Sequence, residues 1–204
     1  MERAFVDAGA FAAWLEKNHA SSTGLWLKLA KKGAGVPSVS YADAVDVALA
    51  WGWIDGQKQS LDARFWLQRF CPRRKSSLWS KINCEKATKL IADGKMRPSG
   101  LREIERAKAD GRWDAAYDSP SRAKVPDELA AALAGNARAA RSFSTIDATN
   151  RYAILWRVQT AKRPETRARR VAELVAMLAR GELLHPPRRK AKPARAPRKT
   201  SRRR

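Results

Sequence analysis

The sequence predicts an α+β fold: a small antiparallel sheet with flanking helices, followed by a C-terminal helical region and a disordered basic tail. Three observations lead there. Leu25-Trp-Leu-Lys-Leu29 alternates with Leu25, Leu27 and Leu29 on one face, and two more strand-like runs, Trp53–Ser60 and Arg64–Cys71, flank a short turn at Leu61-Asp62. Beyond Tyr117 the apolar residues recur only at helical spacing. Residues 186–204 carry ten Lys or Arg and no acid, a composition that buries too little apolar surface to offset the entropy of ordering. The expected organisation is an α+β unit over 1–117, a linker over 118–124, a helical region over 125–185 and the tail over 186–204.

Each element has its own signal. Phe11, Trp14 and Leu15 share one face of a helix over 8–18, which Ser21-Ser-Thr-Gly24 breaks. Ser40 is placed to cap a helix running to Ala50, and Gly52 stands where that helix stops. Pro72 ends the second hairpin strand, because proline lacks the N–H a ladder needs. The hairpin register stays open, since a one-residue slip exchanges its two faces. Ser80 caps a helix through Ala92, and another runs from about Ser99 to Ala109. Pro126-Asp-Glu-Leu129 opens the C-terminal region with proline at the first helical position. Helices follow from Asn136 to Phe143, from the Asp147 cap to Ala161, and from Pro164 to Gly181.

The composition removes several classes of function. Two cysteines are too few for a disulfide framework, and with two separated histidines they form no metal pattern. No apolar run approaches the ~18–20 residues that span a bilayer, and Met-Glu-Arg-Ala-Phe-Val-Asp has no export signal, so a cytoplasmic protein with reduced thiols is expected. No cofactor motif is present; Gly33 and Gly35 lack the strand–turn–helix context of a phosphate loop. The net charge is +22, and positions 1–185 retain 32 basic against 20 acidic residues. Tail residues Arg188, Arg189, Lys190, Lys192, Arg195, Arg198, Lys199, Arg202, Arg203 and Arg204 are candidates for non-specific nucleic-acid binding through counterion release. The plain alternative is a solubilising tail.

The chemistry concentrates between Trp51 and Asn83. Four of the eight tryptophans lie there, and from Ala63 to Cys84 six basic residues face no acid. Asp55 reads either as the acid of a buried ion pair with Arg69 or Arg73, or as a catalytic acid without a matched second group. Cys71, among Arg69, Arg73 and Arg74, reads as a buried strand-end thiol or a reactive thiolate. Arginines beside Trp66 and Trp79 read as an anion-binding surface or as a solvated rim around core tryptophans. Gln68 and Asn83 either orient a ligand or satisfy backbone groups.

Trp51-Gly-Trp-Ile-Asp-Gly56, Gln68-Arg-Phe-x-Pro-Arg73 and Ser77-x-Trp-Ser-x-x-Asn83 occur in that order, followed by Gly111-Arg-Trp113 and Ala116-Tyr117. Downstream stand Val125-Pro-Asp-Glu-Leu129, Phe143, the Tyr152 to Trp156 stretch and Glu165-Thr-Arg-Ala-Arg-Arg170. Over about residues 4–185 this series resembles the YdeI/OmpD-associated proteins of the bacteriocin-protection type. The resemblance implies a role in tolerance of bacteriocins or antimicrobial peptides, and it implies no reaction, cofactor or catalytic residue. The expected function is a non-enzymatic, cytoplasmic stress-tolerance protein that binds an unknown anionic ligand or a protein partner. The ligand would contact Trp53, Asp55, Gln68, Arg69, Arg73, Trp79 and Asn83. The alternatives are a nucleic-acid-associated protein acting through its tail and an enzyme using Asp55 or Cys71.

Overall fold

The computed structural model describes residues 1–186, and it separates into two compact units, Met1–Ala123 and the chain from Lys124 onward. The first unit is α+β. Its four-stranded sheet has the order β1-β2-β4-β3, from β1 (Glu2–Ala4), β2 (Leu25–Ala30), β3 (Trp53–Ser60) and β4 (Phe65–Pro72). The expected antiparallel sheet comprises β2, β4 and β3. The unforeseen β1 pairs parallel to β2 and makes the sheet mixed. Three residues are too short to show an alternation, so nothing local announces this strand.

Alternation fixes the buried face. Leu25, Leu27 and Leu29 are buried, and they lie opposite Phe70, Gln68 and Trp66 of β4. Asp55 lies opposite Phe70, and a bulge between Asp55 and Lys58 shifts the register so that Lys58 pairs with Gln68. The hairpin turn is closed by Asp62, whose carboxylate accepts the Arg64 and Phe65 N–H groups, each at 2.8 Å.

Helices α1 (Ala8–Asn18), α2 (Tyr41–Ala50), α3 (Lys81–Ala92) and α4 (Pro98–Ala109) complete the unit. The caps form as expected, with the Ser40 and Ser80 hydroxyls accepting from the Asp43 and Asn83 amides. Phe11, Leu15, Ala48, Trp53, Phe70, Trp79 and Ile104 are among the residues of one core cluster. Gly52 ends α2 with φ +75°, and a Cβ there would meet Glu103 Cγ and the Ser99 carbonyl oxygen at 2.9 Å. Glycine therefore lets the α2–β3 corner approach the first turn of α4. The stretch 118–124, expected as a linker, is tied to α3. Asp118 pairs with Lys81 at 2.8 Å, Arg122 pairs with Glu85, and Ser119 is buried.

The second unit holds α5 (Asp127–Ala134), α6 (Ala137–Thr145), α7 (Ala148–Gln159) and α8 (Pro164–Ala179). Helix α8 contacts the other three. Leu129, Phe143, Ile154, Val158, Val171, Leu174 and Leu178 are buried in this unit. Pro126 takes the N-cap rather than the first helical position, with φ −61° and ψ 145°. Its fixed φ suits either place, so the sequence signal is good to about one residue. The buried Asn150 ties the end of the region to α7: its amide donates to the His185 carbonyl and accepts the His185 N–H.

Candidate functional site

The seven residues expected to contact a ligand do not form one exposed surface. Trp53 is 1% exposed, and its indole N–H donates to the His19 carbonyl at 3.3 Å. Gln68 is 3% exposed and donates to the Gly56 carbonyl at 2.8 Å. Trp79 is 2% exposed and belongs to the core. Arg69 is half-buried and donates to the Thr23 carbonyl at 3.1 Å. Asn83 is half-buried in the first turn of α3, where its N–H meets the Ser80 cap. These placements follow from the register, which turns Gln68 and Asp55 toward the helices, and from tryptophans large enough to fill the corner of the core.

Asp55 has neither Arg69 nor Arg73 as a salt-bridge partner among the described residues; its Oδ2 accepts the Tyr41 hydroxyl at 2.7 Å. The reason is the docking of α2 on β3, which brings the start of α2 over the carboxylate. Burial first, and the Asp55 carboxylate second, push the Tyr41 phenol well above its usual range. Tyr117 shifts upward with the same two causes in the same order. The Tyr41 ring also lies 5.8 Å from that of Trp66, which carries the Lys58 ammonium 4.3 Å from its centroid.

Arg73 is the exceptional member of the set. It is 5% exposed, and its guanidinium carbon lies 3.6 Å from the Trp79 ring centroid. Nη1 donates to the Leu78 carbonyl at 3.1 Å, while Nε and Nη2 are buried with no hydrogen-bond partner among the described residues. Burial lowers its pKa to about 10, opposed mainly by the charge of Glu103. Arg112, 3% exposed, is satisfied far better. Its Nε meets both Asp110 oxygens at 2.8 Å and Nη1 donates to the Ser77 carbonyl at 2.7 Å, leaving only Nη2 unpaired. Arg112 clamps the 74–80 loop, whereas Arg73 is held chiefly by an aromatic face.

Arg73 also lines a cavity of about 170 Å³, with His19, Trp51, Gly52, Ser99, Arg102 and Glu103 among its walls. Sequence reasoning missed Ser99, Arg102 and Glu103. The signal was Gly100, whose absent side chain admits the Ala50 carbonyl and the Met96 sulfur, and so packs α4 against the end of α2.

Cys71 and Cys84 are free, half-buried thiols. Burial pushes Cys84 up to about 11, away from a thiolate. Among the described residues, no group of three or more His, Cys, Asp or Glu could hold a metal ion. Nor is any helix among them long and apolar enough to cross a membrane. The tail candidates from Arg188 to Arg204 lie outside the described residues.

Two family models match the chain. Residues 122–181 match the family described as bacteriocin-protection, YdeI or OmpD-associated, a partial match. Residues 3–103 match a domain of unknown function (DUF8412). The YdeI/OmpD-associated likeness therefore rests on the helical unit, and the tryptophan-rich segment that suggested it first falls within the other model. No curated protein and no solved structure matches the chain.

Proposed function

We propose that this chain, whose residues 122–181 carry the YdeI/OmpD-associated domain, is a non-enzymatic, cytoplasmic binding protein that contributes to bacteriocin or antimicrobial-peptide protection. The helical unit supports the protective role through its family match. The α+β unit contributes ligand recognition, and the observation that carries this is the buried Arg73 with two uncommitted donors. A buried guanidinium that is neither ion-paired nor fully hydrogen-bonded is costly for a fold to keep, and such groups concentrate at functional sites. Of the wider surface, Arg69 and Asn83 retain partial exposure and stand as its outer contacts. Asp55 acts here through Tyr41 as a positioning group, not as a free acid.

The reading is tested in the bacterial host by deleting the gene and complementing it with wild-type protein, Arg73→Lys or Arg69→Ala, each verified to be folded. Survival under bacteriocin challenge is then scored. Wild-type protein restores survival, and Arg73→Lys, which keeps charge but loses the planar donor fork, restores much less. Full rescue by both variants would remove Arg73 and Arg69 from the function. Unaltered survival of the deletion strain would remove the protective role.

A further inference from the structure

We infer that the cavity beside Arg73 is a binding site for a small tetrahedral oxyanion: inorganic phosphate or the terminal phosphoryl group of a small molecule. The inference deepens the reading of Arg73 as a ligand group and does not depend on the protective role.

Three independent features converge on this cavity. Arg73 lines it, and its Nε and Nη2 are buried without a partner among the described residues. Those two donors form the planar fork that matches two oxygens of a phosphate. Ser99 is also on the wall, and its hydroxyl is a second buried polar group with no partner among the described residues. Part of the wall is the first turn of α4, which begins without a side-chain cap. The first helical bond there is Leu101 N–H to the Arg97 carbonyl, so the Ser99 amide belongs to the uncommitted donors of the helix start. Such a terminus carries partial positive charge. Arg102 adds an exposed cation at the same wall.

Size and charge select the ligand class. A water occupies about 30 Å³ in the liquid, so a cavity of about 170 Å³ has the volume of about six. That suits a compact oxyanion, whereas drug-sized ligands take pockets of about 300 Å³ or more. Among the described residues Glu103 is the one acid on the wall, and its carboxylate is bonded to Arg106, which tempers its repulsion of an anion. Its field is also the largest of those that favour a charged Arg73. An arriving oxyanion would supply the partner that Glu103 approaches but does not provide.

The test is a titration of the full-length, ¹⁵N-labelled protein with inorganic phosphate at constant ionic strength, read at the arginine Nε–H and backbone amide resonances. The Arg73 signal is assigned from Arg73→Lys. The expected result is saturable movement of the Arg73 Nε–H and of the Ser99 amide. Arg102→Ala should weaken that binding several-fold, and Ser99→Glu, which puts a fixed carboxylate into the cavity, should abolish it while the remaining spectrum stays folded. Glycerol 3-phosphate in a parallel titration separates the two sources. Tighter binding than phosphate indicates a phosphoryl group on a larger molecule, and weaker binding indicates the free ion. Movement confined to residues 187–204, or equal saturation in Ser99→Glu, would overturn the site.

Discussion

Arg73 and Arg112 are both buried arginines in the same unit, and replacing each with methionine should have very different consequences. In Arg73→Met the losses are one bond to the Leu78 carbonyl and the stacking on Trp79. The bond contributes about 1 kcal/mol net, and a desolvated cation–π contact about 2 kcal/mol. The gain is relief of burial. A guanidinium whose pKa falls from its ordinary value to about 10 is destabilised in its charged form by about 3 kcal/mol at neutral pH. Methionine also restores a sulfur–aromatic contact of up to about 1 kcal/mol. The terms nearly cancel, and Arg73→Met should lie within about 1 kcal/mol of wild type. Arg112→Met instead removes the contacts of Nε with Asp110 and of Nη1 with Ser77. Asp110 stays partly hydrated, so the cost is about 3 kcal/mol rather than more. Urea unfolding in chloride buffer, followed by circular dichroism, gives both values. A loss of 3 kcal/mol or more for Arg73→Met would show that Arg73 is a structural clamp like Arg112, and the argument for a ligand would fail.

Other outcomes follow from the same geometry. Cys84 should label slowly with iodoacetamide in a Cys71→Ser background until the pH approaches 11, because burial disfavours its thiolate. Its folded pKa lies above the ordinary 9.0, so its contribution to stability is complete below pH 9 and is lost as the pH rises through about 11. Cys84→Ala should flatten that part of the stability profile; an unchanged profile, or rapid labelling at pH 8, contradicts the burial argument. Asn150→Ala should cost the helical unit about 3 kcal/mol, from two lost bonds to His185 and one to Asp147 at about 1 kcal/mol each. It should also release the His185 amide to fast hydrogen exchange, and continued protection of that amide would refute the tie.

Much of the fold was legible because its signals are local. Leu25, Leu27 and Leu29 alternate within five residues, and Ser40 and Ser80 each cap a helix three residues from the amide they accept. Strand β1 was not legible, since its pairing with β2 depends on a partner more than twenty residues away. The candidate site divides the same way. Arg73 was visible as part of a cationic, aromatic segment, but its burial against Trp79 and its place beside Ser99 and Glu103 come from α4 docking on the α2–β3 corner. The ion pair expected for Asp55 gave way to Tyr41 for a similar reason: helix α2 settles over β3, and only the tertiary fold decides which polar group arrives. The bulge after Asp55 then carries Lys58 to Trp66, an outcome no strand periodicity encodes.

The most direct measurement is a crystal structure of the protein soaked with tungstate, a heavy tetrahedral analogue of phosphate, and read by anomalous scattering. A peak is expected in the cavity between Arg73 and Ser99, within hydrogen-bonding distance of Nε or Nη2 of Arg73, and none there in Ser99→Glu. Peaks only at exposed arginines, with the cavity holding water, would contradict it.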